Sequence, residues 1–568
     1  MALINSFSTK DISRSSVSII WDLGVLTLII AGLFLLASTA GDMVSVYELG
    51  DPIQIDLSPT ALPYYASRTI LRMFIALFIS LLCAFFFGAL AAKNPLAEKI
   101  IIPAIDVMQS IPVIGFLEVS FLWIITAFKG SFLGPEVVSI FAVFVSQVWN
   151  LVLSYYESLK RMPKELNEVA EIYKLSPWQR FFKLEAPYAS PGLVWNSMLS
   201  LSAGWFFVVA GEAITIANHD VSLPGIGSYI ATATEQGNYT AIYYAITCLF
   251  VVIMIYDQMI FRPLNYWLLS QNLAEVRKPN WFFVLMSRSR VIMFLRMLVF
   301  SIGRLLSVKH SSGKKRRFQR PKRVASVAIM VGVCLWFSHS VYQAADVFRY
   351  VGLDDIQTAL LMGLYTATRV FVLVFICCLV WIPIGVYLGL NSRVSDIFQP
   401  IIQFLAAFPP NMLYPLVGSL IIAKGYNPNI WLSPLIVLGT QWYILFNVIA
   451  GVRALPVDLL MMSRSFGLSQ AATYRKVILP GILPSLLTGV ITAAGGAWNA
   501  SIIAEVAQWE NKVVYADGLG AYIMQASKAA DTHLVCLGVA VMCLYVLVIN
   551  RVVWLPLYRL IERRYGGA

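Results

Sequence analysis

Apolar runs long enough to cross a lipid bilayer recur along this 568-residue chain. A transmembrane helix needs about 20 mostly apolar residues, and we find twelve such stretches bounded by charged residues, Pro or Gly. They lie near 17–38, 64–92, 101–127, 133–157, 190–217, 241–268, 324–343, 358–390, 396–423, 430–452, 484–507 and 532–557. Stretches of this length suit helices rather than the shorter strands of a membrane barrel. The sequence therefore predicts an all-α polytopic membrane protein.

The composition agrees with this prediction. The mean hydropathy is +0.74 and only 13% of the residues are charged, which excludes an ordinary soluble enzyme. All seven Cys fall within predicted spans, and neither they nor the four His show the spacing of a metal site or a disulfide framework. The spans also contain no convergent group of His, Asp and Glu, so we expect no metal and no catalytic residues.

The net charge of +12 comes from one segment. Residues 277–323 hold 14 of the 42 Lys and Arg and no Asp or Glu, which leaves 28 basic residues against 30 acidic ones elsewhere. We interpret residues 276–323 as a cytoplasmic linker that lies against anionic lipid headgroups and includes an in-plane amphipathic helix. We do not expect the linker to bind nucleic acid.

The same basic residues predict the orientation. When the linker is placed in the cytoplasm, the amino terminus, the 93–99 turn and the Arg-rich carboxyl terminus fall on the same side. The sequence thus predicts a multi-pass protein of the inner (plasma) membrane with both termini in the cytoplasm.

The chain is also an internal duplication. An offset of 293 residues holds over about sixty positions, and further upstream the offset drifts. The matched pairs include Pro163 with Pro456, Lys183 with Lys476, Trp205 with Trp498, Glu212 with Glu505, and, upstream, Gln147 with Gln441 and Arg68 with Arg369. We assign residues 1–275 (core 64–268) to the first half and 324–568 (core 358–557) to the second. Six spans in each half predict parallel repeats with the functional path between them.

A polar segment separates the fourth and fifth spans of each half, at 163–187 and 456–480. Pro163 suits a first helical turn, and Ser176 with Gln179 predicts a capping box at the start of a second helix. Gly467 suits a left-handed helix terminus. We therefore predict a rigid helix–turn–helix on the cytoplasmic side of each half.

The first segment resembles the coupling loop of permease subunits of binding-protein-dependent ABC importers. The family pattern is Glu-Ala-Ala, three residues, Gly, nine residues, an apolar residue, any residue, then Leu-Pro. In EVAEIYKLSPWQRFFKLEAP, Glu168, Ala170 and Pro187 match, but Lys174 replaces the Gly. Lys174 would adopt a left-handed conformation only at a cost of about 1 kcal/mol.

The second segment keeps what the first has lost. In MMSRSFGLSQAATYRKVILP, Gly467 and Pro480 match, whereas Met461 and Ser463 replace Glu and Ala. The resemblance implies that both loops dock on a cytoplasmic ATPase, and we hypothesise that they do so asymmetrically. The implied coupling residues are Glu168, Ala170, Lys174, Leu175, Pro187, Met461, Ser463, Gly467, Leu468 and Pro480.

The resemblance further implies separate partners. No Gly-x4-Gly-Lys-Ser/Thr phosphate loop occurs in the chain, so we expect it neither to hydrolyse ATP nor to bind a cofactor. Two copies of an ABC ATPase would bind ATP-Mg, and an external substrate-binding protein would deliver the cargo.

The segments that follow the loops, GWFFVVAGEAITIANHDVSLPGIGSYI and GAWNASIIAEVAQWENKVVYADGLGAYI, look like the fifth helix and outer turn of nitrate, sulfonate, taurine and bicarbonate permeases. This resemblance implies a fused permease for a small anion, with the fifth helix lining the path. We expect a close approach of backbone to backbone or to a partner at the external turns of Gly225, Gly227, Gly518 and Gly520.

The candidate path residues are Arg68, Arg369, Gln147, Gln441, Trp205, Trp498, Asn499, Glu212 and Glu505. Arginine suits an anion, but we favour snorkelling of both arginines to the outer interface. A carboxylate repels an anion, so we favour a gating or hydrogen-bonding role for both glutamates. The amides and indoles either line the path or join helices, and Asn499 opposite Phe206 would give the path one polar side.

Two alternatives remain open. Fused permeases for ferric iron or thiamine share the coupling loops, so the cargo need not be a small anion. A secondary transporter with two six-helix halves would explain the repeats, but it would not explain a capped loop duplicated in each half.

Overall fold

The computed structural model of the protein describes residues 53–110, 131–216, 219–261, 351–529 and 531–565, with a few residues before 53, between 111 and 130, and at 263–264. The basic linker and the predicted span 324–343 lie outside the described residues, as do most of the span 17–38 and the second part of the span 101–127. The described chain is almost entirely helical, as the sequence predicts.

The first half contains seven helices and one hairpin among its described residues. These are α1 (Pro59–Lys93), α2 (Pro95–Ser110), α3 (Leu133–Lys160), α4 (Lys164–Ile172), α5 (Pro177–Glu212), β1 (Ala213–Ile216), β2 (His219–Ser222), α6 (Ile226–Glu235) and α7 (Tyr239–Ile260). Short helix α4 lies at one end of the bundle, which we call the loop end. The hairpin lies at the opposite end of α5, which we call the hairpin end.

The second half repeats this order. Its described elements are α8 (Leu353–Leu390), α9 (Ser392–Ala407), α10 (Tyr414–Lys424), α11 (Pro428–Trp431), α12 (Gln441–Ala454), α13 (Val457–Ser465), α14 (Gln470–Ala504), β3 (Val506–Trp509), β4 (Lys512–Tyr515), α15 (Leu519–Lys528) and α16 (Thr532–Ile561).

Seven single helices in the described residues are long and apolar enough to span a membrane. Two further predicted spans, 396–423 and 430–452, are broken rather than continuous, with bends of 74° and 41°. The first break contains Pro409 and Pro410, which cannot donate a backbone hydrogen bond, and the second follows Pro434 and contains Gly439. Hydropathy alone did not reveal these breaks, because the residues on both sides are equally apolar.

The ends of the fifth helices differ from the prediction. The apolar pattern predicts helix to residues 217 and 507, but α5 ends at Glu212 and α14 at Ala504. Each is followed by an antiparallel hairpin, in which Ala213 pairs with Ser222 and Val506 with Tyr515. The β-branched residues of these segments suit an extended backbone as well as a helix, so composition could not distinguish the two.

Local irregularities reproduce the duplication. A single π-helical turn interrupts each fifth helix at matched positions, Phe181–Glu185 and Tyr474–Ile478. Proline also lies inside both helices, at Pro191 and Pro484. π turns and internal prolines are locally unfavourable in a helix. Because both recur 293 residues later, we infer that the two fifth helices need the same bent shape.

The two halves form one bundle. The largest buried apolar cluster combines Val145 and Phe206 of the first half with Trp498 and Ile502 of the second. On the outside of the spans, large apolar side chains such as Phe78 are exposed, as expected for a surface covered by lipid tails.

Candidate functional site

The first predicted loop is a helix–turn–helix. Ser176 accepts a hydrogen bond from the Gln179 backbone, and the Gln179 side chain accepts one from the Ser176 backbone, so the predicted capping box is confirmed. Lys174 has a φ of +47°, which is left-handed despite its side chain. The Leu175 N–H donates to the Ala170 carbonyl at 3.0 Å and closes the turn.

The second loop has the same backbone path. Gly467 has a φ of +65°, and the Leu468 N–H donates to the Ser463 carbonyl at 3.0 Å. Ser469 caps the following helix by accepting from the Ala472 N–H. Ala472 has no side-chain acceptor for the Ser469 N–H, so this cap is not a capping box. The departures of each copy from the family pattern therefore leave the turn itself unchanged.

The two loops bury one small residue each and expose apolar ones. Ala170 and Ser463 are buried at equivalent positions. In contrast, Tyr173 is 75% exposed and Phe466 is 76% exposed. Of the remaining predicted coupling residues, Glu168, Lys174, Pro187, Met461 and Gly467 are exposed, and Leu175, Leu468 and Pro480 are half-buried. Neighbouring exposed apolar side chains at the tip of a loop are typical of interaction surfaces.

Among the described residues, the first loop is fixed to the bundle by ion pairs and the second is not. Glu185 is buried, accepts from Lys93 at 2.7 Å and from Arg180 at 2.8 Å, and so joins the loop to the loop end of α1. Arg180 also donates to Asn167 at 2.6 Å. The matched position in the second half is the buried Ile478, which packs without charge. The two loops therefore share a shape but differ in how they are fixed to the bundle.

At the hairpin end, each half contains a buried polar cluster that we call a clasp. In the first clasp, Glu212 accepts from the Thr69 hydroxyl and from Arg72, both at 2.6 Å, and from the Gly227 N–H at 2.7 Å. Arg72 also forms two hydrogen bonds with Glu136, at 2.6 and 2.7 Å. The clasp therefore joins α1, α3, the end of α5 and the start of α6.

The second clasp repeats this arrangement with fewer charges. Glu505 accepts from Thr366 at 2.7 Å, from Arg369 at 3.1 Å and from the Gly520 N–H at 2.8 Å. Asn429 occupies the place of Glu136 and accepts from Arg369 at 2.7 Å. The second clasp lacks one acidic and one basic side chain of the first, and its Asn429 amide donates to the exposed Asp517 carboxylate at 2.7 Å.

The clasps correct two interpretations made from the sequence. The counterpart of Arg369 is Arg72 and not Arg68, because Arg72 contacts Glu212 as Arg369 contacts Glu505. Snorkelling is also wrong for both arginines. Arg68 is 3% exposed and pairs with Glu136 at 2.5 Å, and Arg369 is 13% exposed and pairs with Glu505 at 3.1 Å. Aligning Thr69 with Thr366 would have given the correct offset. The first half has two arginines here, Arg68 and Arg72, and the second half has only Arg369, so the sequence alone did not show which of the two matches it.

The paired glycines are explained by the clasps. A Cβ atom on Gly225 would lie 2.3 Å from the Glu212 carboxyl carbon, and one on Gly518 would lie 2.4 Å from that of Glu505. A Cβ atom on Gly227 would lie 2.2 Å from a backbone carbonyl oxygen. The glycines thus allow the starts of α6 and α15 to approach the ends of the fifth helices.

A cavity of ≈ 690 Å³ lies between the fifth helices of the two halves. Trp205, Trp498 and Asn499 line it, together with Phe206. The lining residues of α7 and α16, such as Asp257 and Arg551, lie near the loop ends of those helices. The cavity therefore extends from the middle of the bundle towards the loop end.

The other path candidates lie away from this cavity. Arg68, Arg369, Glu212 and Glu505 belong to the clasps. Gln441 accepts from the Trp381 indole at 2.9 Å and so joins two helices. Gln147 is buried between helices, and its amide has no hydrogen-bond partner among the described residues. Sequence reasoning missed Arg72, Glu136 and Asn429, since their importance comes from contacts distant in sequence.

Comparison with known proteins places these features in a family. Residues 84–260 match the binding-protein-dependent transport system inner membrane components, and residues 381–567 match them again. The chain belongs to this family, in duplicate. Each matched region contains one loop, one fifth helix and one hairpin of the permease. The family comprises non-catalytic membrane subunits of ABC transporters.

Individual permeases are similar to parts of the chain. The taurine transport system permease protein TauC of Escherichia coli is 29% identical over 177 residues, 31% of this chain and 61% of that protein. The bicarbonate transport system permease protein CmpB of Synechococcus elongatus is 32% identical over 132 residues, which are 23% of this chain and 46% of that protein. The nitrate import permease protein NrtB of Leptolyngbya laminosa is 24% identical over 159 residues, which are 28% of this chain and 52% of that protein. The chain thus spans about half of each relative's length.

Proposed function

We propose that this permease forms both halves of the membrane path of an ABC importer for a small anion. An external substrate-binding protein delivers the anion at the hairpin end. Two copies of a cytoplasmic ATPase, which bind ATP-Mg, drive the transport from the loop end. In this proposal the linker and both termini lie in the cytoplasm, and residues 1–275 and 324–568 are the two halves.

The continuity between each loop and the cavity carries this proposal. Helix α5 begins at Pro177 inside the first loop and continues to Glu212, and α14 runs likewise from Gln470 in the second loop to Ala504. Both helices line the cavity between these ends. A displacement imposed on a loop is therefore passed along a packed helix to the wall of the path.

The loop residues divide into two proposed roles. Buried Ala170 and Ser463 allow the turn to close, and the left-handed Lys174 and Gly467 reverse the chain. The exposed apolar side chains next to them, above all Phe466, provide the area that a partner buries. Such contacts contribute roughly 25 cal/mol for each Å² of apolar surface removed from water.

The relatives support the anion as cargo. Their names specify taurine, bicarbonate and nitrate, which differ in size but share an oxygen-bearing anionic group. The middle of the cavity is lined by uncharged polar and aromatic side chains, and Asp257 and Arg551 lie near the loop end. Such a lining is compatible with a path through which an anion passes without being held tightly. Ferric iron and thiamine remain the alternatives that the experiment below must exclude.

Reconstitution of the permease with its ATPase and binding protein in lipid nanodiscs tests the proposal. We expect ATP hydrolysis to rise on addition of one of nitrate, an alkanesulfonate, taurine or bicarbonate. Stimulation only by an iron complex or thiamine would contradict the anion assignment. Substrate uptake by the permease alone, driven by an ion gradient, would contradict the ABC assignment.

A matched pair of variants tests the docking surface. Phe466→Ser removes a side chain that is 76% exposed at the loop end, and Leu353→Ser removes one that is 78% exposed at the start of α8, at the opposite end. We expect Phe466→Ser to reduce co-purification of the ATPase severalfold and Leu353→Ser to leave it unchanged. Equal effects of the two variants would contradict docking at the loop.

A further inference from the structure

The start of α5 carries two exposed aromatic side chains that contact each other, which we call the aromatic pair. Trp178 is 66% exposed and Phe182 is 39% exposed. Their rings stack with centroids 6.0 Å apart and an angle of 18° between the ring planes. Exposed aromatic side chains held in one arrangement are typical of surfaces that contact a partner or a membrane.

Ring contacts join the aromatic pair to the lipid-facing surface of α1. The Phe181 ring packs edge-on against Phe182, with centroids 4.9 Å apart, and against Phe85 of α1, with centroids 5.2 Å apart. The residues that follow Phe85, which are Phe86 and Phe87, are exposed like other large apolar side chains on the outside of the spans. The surface that faces the lipid tails therefore continues onto the first loop.

The sequence of α1 gives the depth of this contact. Residues 73–92 contain no charged residue and are about 30 Å long as a helix, which is the thickness of the hydrocarbon core. Lys93, at the loop end of α1, therefore marks the lipid boundary. Phe85 lies about 12 Å before Lys93 along the helix, inside the hydrocarbon, and the Phe181 ring reaches it. The aromatic pair beside Phe181 thus lies at the boundary between lipid and water, where Trp is enriched in membrane proteins.

The aromatic pair does not recur in the second loop. The matched positions, at the same offset of 293, hold Ala471 and Arg475. Two copies of one ATPase need the same docking surface on both loops, and the exposed Tyr173 and Phe466 meet this requirement. Because the aromatic pair is present on one loop alone, contact with lipid explains it better than contact with the ATPase.

A basic residue follows the aromatic pair. Lys183 is exposed, and so is its counterpart Lys476 in the second loop. Anionic lipids of the cytoplasmic leaflet attract Lys and Arg side chains at the membrane surface. Both loops therefore carry charge that suits lipid headgroups, and the aromatic pair is what distinguishes the first.

We propose that the aromatic pair anchors the first loop in the lipid headgroup region at the loop end. Trp178 and Phe182 lie between the headgroups and the first segments of the acyl chains, and Lys183 contacts lipid phosphates. The first loop is then fixed both to α1, through Glu185, and to the membrane. This lipid contact depends neither on the cargo nor on the ATPase, so it goes beyond the proposed function.

Fluorine NMR tests the inference. The permease is labelled with fluorotryptophan and reconstituted with its unlabelled ATPase in lipid nanodiscs. The chain has 15 Trp, and the resonance of Trp178 is the one missing from Trp178→Phe. We expect a phospholipid with a nitroxide near its headgroup to broaden this resonance severalfold more than a water-soluble gadolinium chelate does. Broadening by the chelate alone would show that Trp178 lies in water, and broadening by neither would show that protein covers it. Either result would overturn the inference.

A matched pair of variants distinguishes lipid from the ATPase as the partner. Tyr173 lies on the same loop and is 75% exposed, but it belongs to the surface that both loops share. We expect Tyr173→Ala to reduce co-purification of the ATPase severalfold and to leave the broadening of the Trp178 resonance by the lipid unchanged. We expect Trp178→Ala to leave co-purification unchanged. Equal loss of the ATPase in both variants would assign the aromatic pair to the ATPase and overturn the inference.

The outcomes separate this inference from the proposed function. If the nitroxide-bearing lipid fails to broaden the Trp178 resonance while an anion stimulates ATP hydrolysis in the full complex, the inference is overturned and the importer assignment stands. If the resonance is broadened but no anion stimulates hydrolysis, the proposed function fails and the lipid contact stands.

Discussion

At the residue scale, the first clasp contains one ion pair more than the second. Arg68 and Glu136 are both present in the first half, whereas the matched sequence positions of the second hold Tyr365, which is 43% exposed, and Asn429. Loss of one charge from a buried cluster leaves its partner uncompensated, but loss of both preserves neutrality. The second half carries both replacements together, and there the exposed Asp517 carboxylate accepts from Asn429 at 2.7 Å.

A double-mutant cycle in the first clasp follows from this comparison. Arg68→Tyr and Glu136→Asn should each lower the free energy of unfolding by about 3–5 kcal/mol, as is typical of a broken buried ion pair. Together they should cost less than the sum of the two, by about 0.5–3 kcal/mol. Denaturant unfolding in detergent micelles measures both quantities. Strict additivity would show that the two side chains act independently.

At the element scale, the left-handed turn of each loop is specified by its hydrogen bonds rather than by its residue type. Lys174 and Gly467 adopt the same conformation, although only glycine does so without steric cost. Hydrogen bonds from Leu175 and Leu468 to the preceding helix close both turns at 3.0 Å.

Exchange of these two residues tests the consequence. Lys174→Gly should stabilise the first loop by about 1 kcal/mol, and Gly467→Lys should destabilise the second by a similar amount. Thermal unfolding measures these changes. If the loops dock asymmetrically, the exchanged double variant will also change anion-stimulated ATP hydrolysis, whereas identical hydrolysis would refute asymmetric docking.

The second hairpin joins the two halves at the hairpin end. Trp509 packs on Tyr239 with ring centroids 4.3 Å apart, and the Glu510 N–H donates to the Thr234 carbonyl at 3.0 Å. Glu510 has a φ of +53°, an uncommon conformation for a residue with a side chain. If the cavity opens towards the hairpin end during transport, these contacts must separate.

A crosslink across this contact should therefore stop transport. Tyr239→Cys and Trp509→Cys, bridged by a short bismaleimide, are expected to reduce anion uptake to background while ATPase binding persists. Each single variant treated with the same reagent controls for modification of the native cysteines. Undiminished uptake in the bridged protein would mean that this contact does not open during transport.

At the scale of the whole molecule, contacts between the halves are numerous and buried. Asn411 donates to the Phe206 carbonyl at 3.1 Å, and the Val113 N–H donates to Asn499 at 2.7 Å. The largest apolar cluster also crosses the boundary. These contacts connect the halves independently of residues 276–323.

Cleavage of the linker should consequently leave the bundle assembled. A protease site in place of residues 311–313, cut after purification, should yield two fragments that elute together from a sizing column and retain anion-stimulated ATP hydrolysis. An uncleaved sample of the same protein is the control. Separation of the fragments would show that the linker itself holds the halves together.

The sequence by itself determined the membrane class, the positions of most spans, the duplication and the two loops. These properties depend on apolar length, caps and turns within a few residues, as with Ser176 and Gln179. Tertiary structure alone decided which arginine pairs with Glu212, where the helices break and which residues line the cavity. The Arg72–Glu212 contact joins residues 140 apart in the chain, and such pairing depends on how whole helices pack, which no local pattern encodes.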